Sequence, residues 1–145
     1  MKIVINTRVE KNFQLVFNKF NLDLFKALKP PVVQLEVERF DGCKKGDRVH
    51  LKLNTFGKTQ RWESLISSDF RGDYEINFVD EGILIPPPLK KWTHTHRVMK
   101  INETAALIVD EIEYHCANRV IEAMIYPALY SMFLFRVPVY KRVFA

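Results

Sequence analysis

Residues 121–133 read IEAMIYPALYSMF, and this stretch decides the fold. Ile121, Met124, Ile125, Ala128, Leu129, Met132 and Phe133 follow one another at alternating steps of three and one. That is the spacing of one face of an α-helix. The opposite side is also rather apolar, with Ala123, Tyr126, Tyr130 and Leu134. The pattern therefore predicts a long C-terminal helix buried on most of its sides. Pro127 should bend it or remove a hydrogen bond, and Pro138 marks a second break. From Ala123 to Phe135 only Ser131 interrupts the run, which is shorter than the ~20 residues a bilayer span requires.

Upstream of this helix the period is two. Ile3, Ile5 and Thr7 alternate with polar neighbours over residues 2–9, a strand. Phe13, Val16, Phe17 and Phe20 then switch to helical spacing, and Leu24, Phe25 and Leu28 continue it until Pro30 and Pro31 stop it. Two short helices in tandem fit this segment. Val33, Leu35 and Val37 resume alternation. Further rows are Val49, Leu51, Leu53; Trp62, Ser64, Ile66; and Tyr74, Ile76, Phe78. Turns begin at Asp41-Gly42, Gly57-Lys58 and Gly72-Asp73. After the apolar loop Gly82–Leu89 come strands over 91–101 and 104–115. Short links between neighbouring strands make an antiparallel meander with one packed and one wet face.

The packed face of such a sheet must be covered, and only the C-terminal helix is long enough to do it. The expectation is a single α+β domain over 1–145: a curved antiparallel sheet of six to seven strands around a long C-terminal helix, with two short helices after the first strand. This order resembles the helix-grip superfamily of START-related, birch-pollen-allergen-like and polyketide cyclase-like proteins, together called SRPBCC. Val16-Phe17, Asp41-Gly42, Lys45-Gly46-Asp47 and Trp62-Glu63-Ser64 resemble its early helix, second hairpin and following strand. The stretches 78–82 (FVDEG) and 92–96 (WTHTH) closely resemble a bacterial ligand-binding-type subgroup. Asp110–Tyr114 resembles its last strand, and Met132-Phe133 with Arg136 its closing helix. The resemblance implies the fold, and with it pockets that serve carriers, receptors and cyclases.

Alternation then assigns faces. In the strand over 91–101 the row Thr93, Thr95, Arg97 is the wetter, so Trp92, His94, His96 and Val98 point inward. In the last strand Glu111, Glu113 and His115 belong outside, and Ile108, Asp110, Ile112 and Tyr114 inside. The result is an aromatic, apolar concavity with a few polar groups, the composition of a ligand pocket. Its candidate lining is Trp62, Ser64, Phe78, Trp92, His94, His96, Asp110, Tyr114, Met132 and Phe133. A buried carboxylate is costly unless paired, so Asp110 should bond a histidine or Tyr114. His94 and His96 lie two residues apart on one strand, about 7 Å by strand rise. With Asp110 they have the donor types of a metal site, but H-x-H alone is a weak motif, and polar core or ligand-orienting histidines are the preferred reading. His96 and Asp110 are also the candidates for acid–base catalysis. No cofactor motif is present in the sequence.

Composition narrows the partners. The chain has 145 residues, 48% of them hydrophobic, with 11 Phe, 5 Tyr and 2 Trp. Its net charge of +5 is scattered over Lys44-Lys45, Lys90-Lys91, Arg97 and Lys141-Arg142, without the basic run of a nucleic-acid binder. Cys43 and Cys116 are far apart and in no metal spacing, and no secretory leader precedes the first strand, so a cytoplasmic, reduced setting is expected. The function expected is binding of an apolar or amphipathic small molecule between sheet and helix, without catalysis, nucleic acid or stable membrane insertion. Two rivals stand beside it. One is a cyclase, isomerase or hydrolase using the His–Asp pair. The other is an interaction module, a homodimer or membrane contact through the apolar helix and Ile83, Leu84 and Ile85.

Overall fold

The structure, a computed structural model, describes residues 1–55 and 57–145. Strand β1 (Lys2–Val9) alternates exposed and buried side chains without a fault. Helices α1 (Phe13–Asn18) and α2 (Leu22–Ala27) follow, separated by one tight link. Asn12 and Asn21 cap them by accepting hydrogen bonds from the amides of Gln14 and Leu24. The chain then lays down β2 (Gln34–Phe40), β3 (Arg48–Thr55), β4 (Lys58–Arg71), β5 (Glu75–Leu84), β6 (Lys91–Asn102) and β7 (Ala105–His115). Helix α3 (Arg119–Leu134), capped by Asn118, runs almost directly into α4 (Arg136–Val143).

The seven strands form one antiparallel sheet in the order β1-β7-β6-β5-β4-β3-β2. Consecutive hairpins build β2 to β7. The α1–α2 segment carries the chain from one edge of the sheet to the other, so that β1 closes beside β7. Register shifts between β4 and β5, at Glu63/Ser64 and Ile66/Ser68, bend the long β4 strand and curl the sheet.

The concave face holds two separate apolar clusters. At one end Val9, Phe13, Val16, Ile76, Val98 and Ile108 pack under α1 and α4, with Tyr140 and Phe144 driven into the middle. At the other, Ile3, Ile5, Trp92, Ile112 and Tyr114 pack with Phe133 and Leu129 of α3. Helix α3 lies on β1 and β7, leaving the β2–β5 half of the face uncovered by it. Its start is tied down by polar contacts. The Tyr114 hydroxyl donates to the Glu122 carbonyl at 2.7 Å, and the buried Glu122 carboxylate accepts from the Cys116 amide at 3.1 Å.

Four expectations need correction. First, α3 is not buried on most sides: Val120 and Met124 are 69% and 74% exposed, because only one narrow stripe meets the sheet. Residues Arg119–Val143 form a 25-residue helical stretch long and apolar enough to span a bilayer by length and composition. A helix lying against a sheet passes the same test, and this one is held there at Glu122 and Arg136. Second, the break that Pro138 marks falls four residues before it: α3 ends at Leu134, whose carbonyl receives no amide from Pro138, and α4 restarts at Arg136 with Pro138 in its first turn. Third, Tyr74 precedes β5 and is exposed rather than inward-facing. Fourth, β5 continues through Leu84 because it pairs with β4 that far, so the apolar loop is shorter than 82–89.

Candidate functional site

Because α3 does not reach the β2–β5 half of the sheet and α1 touches it only at β5, much of its inward surface borders empty space. Leu51 and Leu53 of β3, Trp62, Ser64 and Ile66 of β4, Phe78 of β5, and Trp92, His94 and His96 of β6 line a cavity of about 650 Å³. Leu24 and Leu28 of α2, and Leu129, Met132 and Phe133 of α3, complete the wall. Pro30, Val32, Pro86 and Leu89 also border the cavity. Gly82 makes room near Trp92: a Cβ there would lie 3.1 Å from the Trp92 Cβ and 2.5 Å from the Ile85 side chain. Trp62 and Trp92 meet edge to face at 5.1 Å.

One end of this apolar space is polar. The Asp110 Oδ1 accepts from His94 Nε2 at 2.8 Å and from Arg136 Nη1 at 3.0 Å. A carboxylate cannot donate, so His94 carries its proton on Nε2. His96 sits opposite Asp110 across the β6–β7 ladder, yet its Nδ1 is 3.8 Å away and has no partner. The diagonal neighbour His94 makes the bond instead. His96 is drawn aside by stacking on Phe78, with centroids 4.3 Å apart. The two imidazoles lean together to 3.6 Å, well inside the spacing that strand rise alone suggests.

Charge in this cluster is balanced locally. Burial alone would push the Asp110 carboxyl up, but the Arg136 charge and the His94 hydrogen bond hold it well below the usual carboxylate range. Burial lowers His94, with Asp110 pulling the other way. Burial and the neighbouring His94 lower His96 further, so it is neutral at physiological pH. Tyr140 is fully buried beside Arg136 and Asp110, and burial raises its hydroxyl. The donor atoms of His94, His96 and Asp110 lie within 4.8 Å of one another, a metal-compatible separation. However, Asp110 Oδ1 is already shared by His94 and Arg136, and the buried guanidinium beside it repels a cation. The donor set fits a salt-bridge network better than a cation.

The candidates divide accordingly. Trp62, Ser64, Phe78, Trp92, His94, His96, Met132 and Phe133 all stand in the cavity wall. Asp110 lies behind the histidines as their anchor. Tyr114 belongs elsewhere, its hydroxyl used at the start of α3. Two residues that carry the family resemblance were not among the site candidates. Asp80 faces the cavity opposite His94 in the β5–β6 ladder. It simply extends the row Ile76, Phe78, and that alternation was the signal available. Arg136 lies on the Leu129–Phe133 stripe of the helical spacing. It stacks over the Phe133 ring at 4.7 Å.

No protein-family model matches the chain, and no curated protein matches it by sequence. Solved structures do match. The major latex-like protein 151 of Panax ginseng superposes with a TM-score of 0.67 at 16% identity, over 97% of this chain and 93% of its own. A protein of Arthrobacter aurescens reaches 0.74 at 10% identity, over 99% and 85%. The fold is the helix-grip fold of the Bet v1-like, or SRPBCC, proteins. The Zhui aromatase/cyclase of Streptomyces sp. R1128 shares it at a TM-score of 0.59 and 13% identity, covering 97% of this chain and 93% of that one. Within this helix-grip chain the cavity lies where sheet and C-terminal helix part.

Proposed function

We propose that the protein binds an apolar or amphipathic small molecule in this cavity, as a soluble cytoplasmic carrier or receptor. The observation that carries the reading is the cavity itself, about 650 Å³, walled by aliphatic and aromatic side chains and polar at one end. That volume and polarity lie in the range of small-molecule sites. Apolar walls supply affinity by removing ligand surface from water, at about 25 cal/mol per Å². Ser64, Asp80, His94 and His96 orient a polar group. The fold neighbours include a protein described as an aromatase/cyclase and a norcoclaurine synthase in complex with a transition-state analogue, which supports a small-molecule reading.

The test is native mass spectrometry of purified protein followed by analysis of a denatured extract. A co-purifying organic species at one per chain is the expected result. Failure to take up any apolar probe, with Trp62 and Trp92 as the fluorescent reporters, would sink the reading.

A second reading is catalysis, and one observation favours it: the cavity presents a neutral imidazole and a carboxyl within one cluster. The acid in that pair is not Asp110, which is committed to Arg136 and His94, but Asp80. The reading requires turnover that is lost in both His96→Ala and Asp80→Asn while the far-ultraviolet spectrum is unchanged.

A further inference from the structure

Asp80 is the one acid in the cavity wall among the described residues; the other charged groups there are Lys29 and Arg136. Arg136 is bonded to Asp110 and acts on Asp80 only through space, so no cation among the described residues is in ion-pair contact with Asp80. The Oδ1 of Asp80 is shut off from solvent and has no hydrogen-bond partner. A buried polar atom in that condition is costly to the protein and is explained by something it receives.

The ladder defines what surrounds it on the concave face. Phe78 precedes it along β5. Ile66 lies opposite on β4, with Ser64 one pleat away. His94 lies opposite on β6, flanked by Trp92 and His96. Cys43, from the β2–β3 link, approaches closely enough that the Asp80 charge contributes to its thiol being pushed up to about 12, mainly by burial. None of these neighbours is a cation at neutral pH: Ser64 and Cys43 are neutral, and burial lowers both histidines. Aromatic rings and a carboxyl with one oxygen free are the two elements that recognise a positively charged nitrogen in an apolar space.

We propose that the cavity is selective for amphiphiles bearing a protonated amine, which donates to Asp80 while its apolar body fills the space between β3, β4 and α3. This rests on the ligand-binding reading above and gives it a chemical class. Burial raises the Asp80 carboxyl, with His94, Ser64 and Arg136 pulling it down. The site is therefore weak for amines in acid, where Asp80 is protonated, and strengthens as pH rises and Asp80 ionises.

The experiment compares decylamine, decanol and decanoate, each below its aggregation concentration, titrated into the full chain with fluorescence of Trp62 and Trp92 as readout. Decylamine should bind about tenfold or more tighter than decanol, the scale of one charge-assisted hydrogen bond. Asp80→Asn should remove that preference. Its melting temperature, measured alongside, shows that the variant is folded. In the wild type, decylamine affinity should climb as pH rises and Asp80 ionises, while decanol affinity stays flat. That profile tests the inference without any variant. Decanol or decanoate binding as tightly as decylamine, or a decylamine affinity indifferent to both pH and Asp80, overturns the amine assignment and leaves the cavity reading intact. Binding of none of the three overturns both.

Discussion

The two ends of the concave face are made from similar residues and end up different. Under α1 and α4, Phe17, Phe20, Tyr140 and Phe144 stack in sequence, with centroid distances of 5.8, 6.2 and 6.4 Å, over a cluster of buried side chains. Under α3, Trp62, Trp92 and Phe133 meet only at their edges or at a tilt, and beyond them the face is open. The packed end is closed from two directions, by α1 and by α4. The open end is covered from one side only, because α3 rests on β1 and β7 and does not reach β3. Close packing and open space therefore lie at different ends of one sheet, and the proposed function places binding at the open one.

The largest effect is expected at the boundary between them. Arg136→Met leaves Asp110 buried without its cation and should cost about 3–5 kcal/mol in urea denaturation. The pH profile should also invert. In the wild type the depressed Asp110 contributes stability above its unfolded value near 4, and that is lost only as pH falls toward its folded value. In the variant, burial raises the Asp110 carboxyl, so stability should fall as pH rises above about 4. An unchanged acid profile would mean that Arg136 is not what holds Asp110 ionised.

Phe13→Ala, at the packed end, should cost about 3–5 kcal/mol, because the ring is 3% exposed and its neighbours have no room to collapse. Ligand affinity of the folded fraction should not change. Leu51→Ala in the cavity wall should cost only about 1 kcal/mol, since the side chain already borders space, and should weaken binding of any apolar probe by several-fold. Equal losses of stability from the two substitutions would erase the distinction between the ends.

Asp80→Asn sharpens the comparison in the opposite direction. A carboxyl raised in the folded state favours unfolding above its unfolded value, so wild-type stability declines as pH rises through its folded value. The amide should raise the melting temperature at neutral pH and flatten this part of the profile. The smallest effect belongs to the outer face of α3. Met124→Glu should change stability by less than about 0.5 kcal/mol. Its sedimentation also tests the interaction rival: association in the wild type, abolished by the glutamate, would make this face a contact surface.

Much of the fold was legible because periodicity reports burial directly. The fault-free alternation over Lys2–Val9 and the 3, 1 spacing over 121–133 place both elements without tertiary information. The pocket rows of β3, β4 and β6 were legible for the same reason. The neighbour relation between Asp110 and the histidines followed from a short hairpin between two strands. What escaped were residues whose role depends on a partner distant in sequence. Tyr114 points inward as its alternation requires, but its hydroxyl is captured by α3. Asp80 continues an apolar row, and an acid in such a row has meaning only once its counter-charge is known to be missing.

The sequence by itself determined the order of elements, the single antiparallel sheet, which face of each strand is apolar, and the presence of a helix able to cover part of that face. These follow from local spacing, because side chains project at intervals set by the backbone. Only the tertiary structure decided how far that helix reaches, and therefore that one end is packed and the other hollow. It alone decided that Arg136 goes to Asp110 and not to Asp80. Both outcomes depend on where rigid elements dock. Docking is settled by contacts between residues far apart in the chain, which no local pattern records.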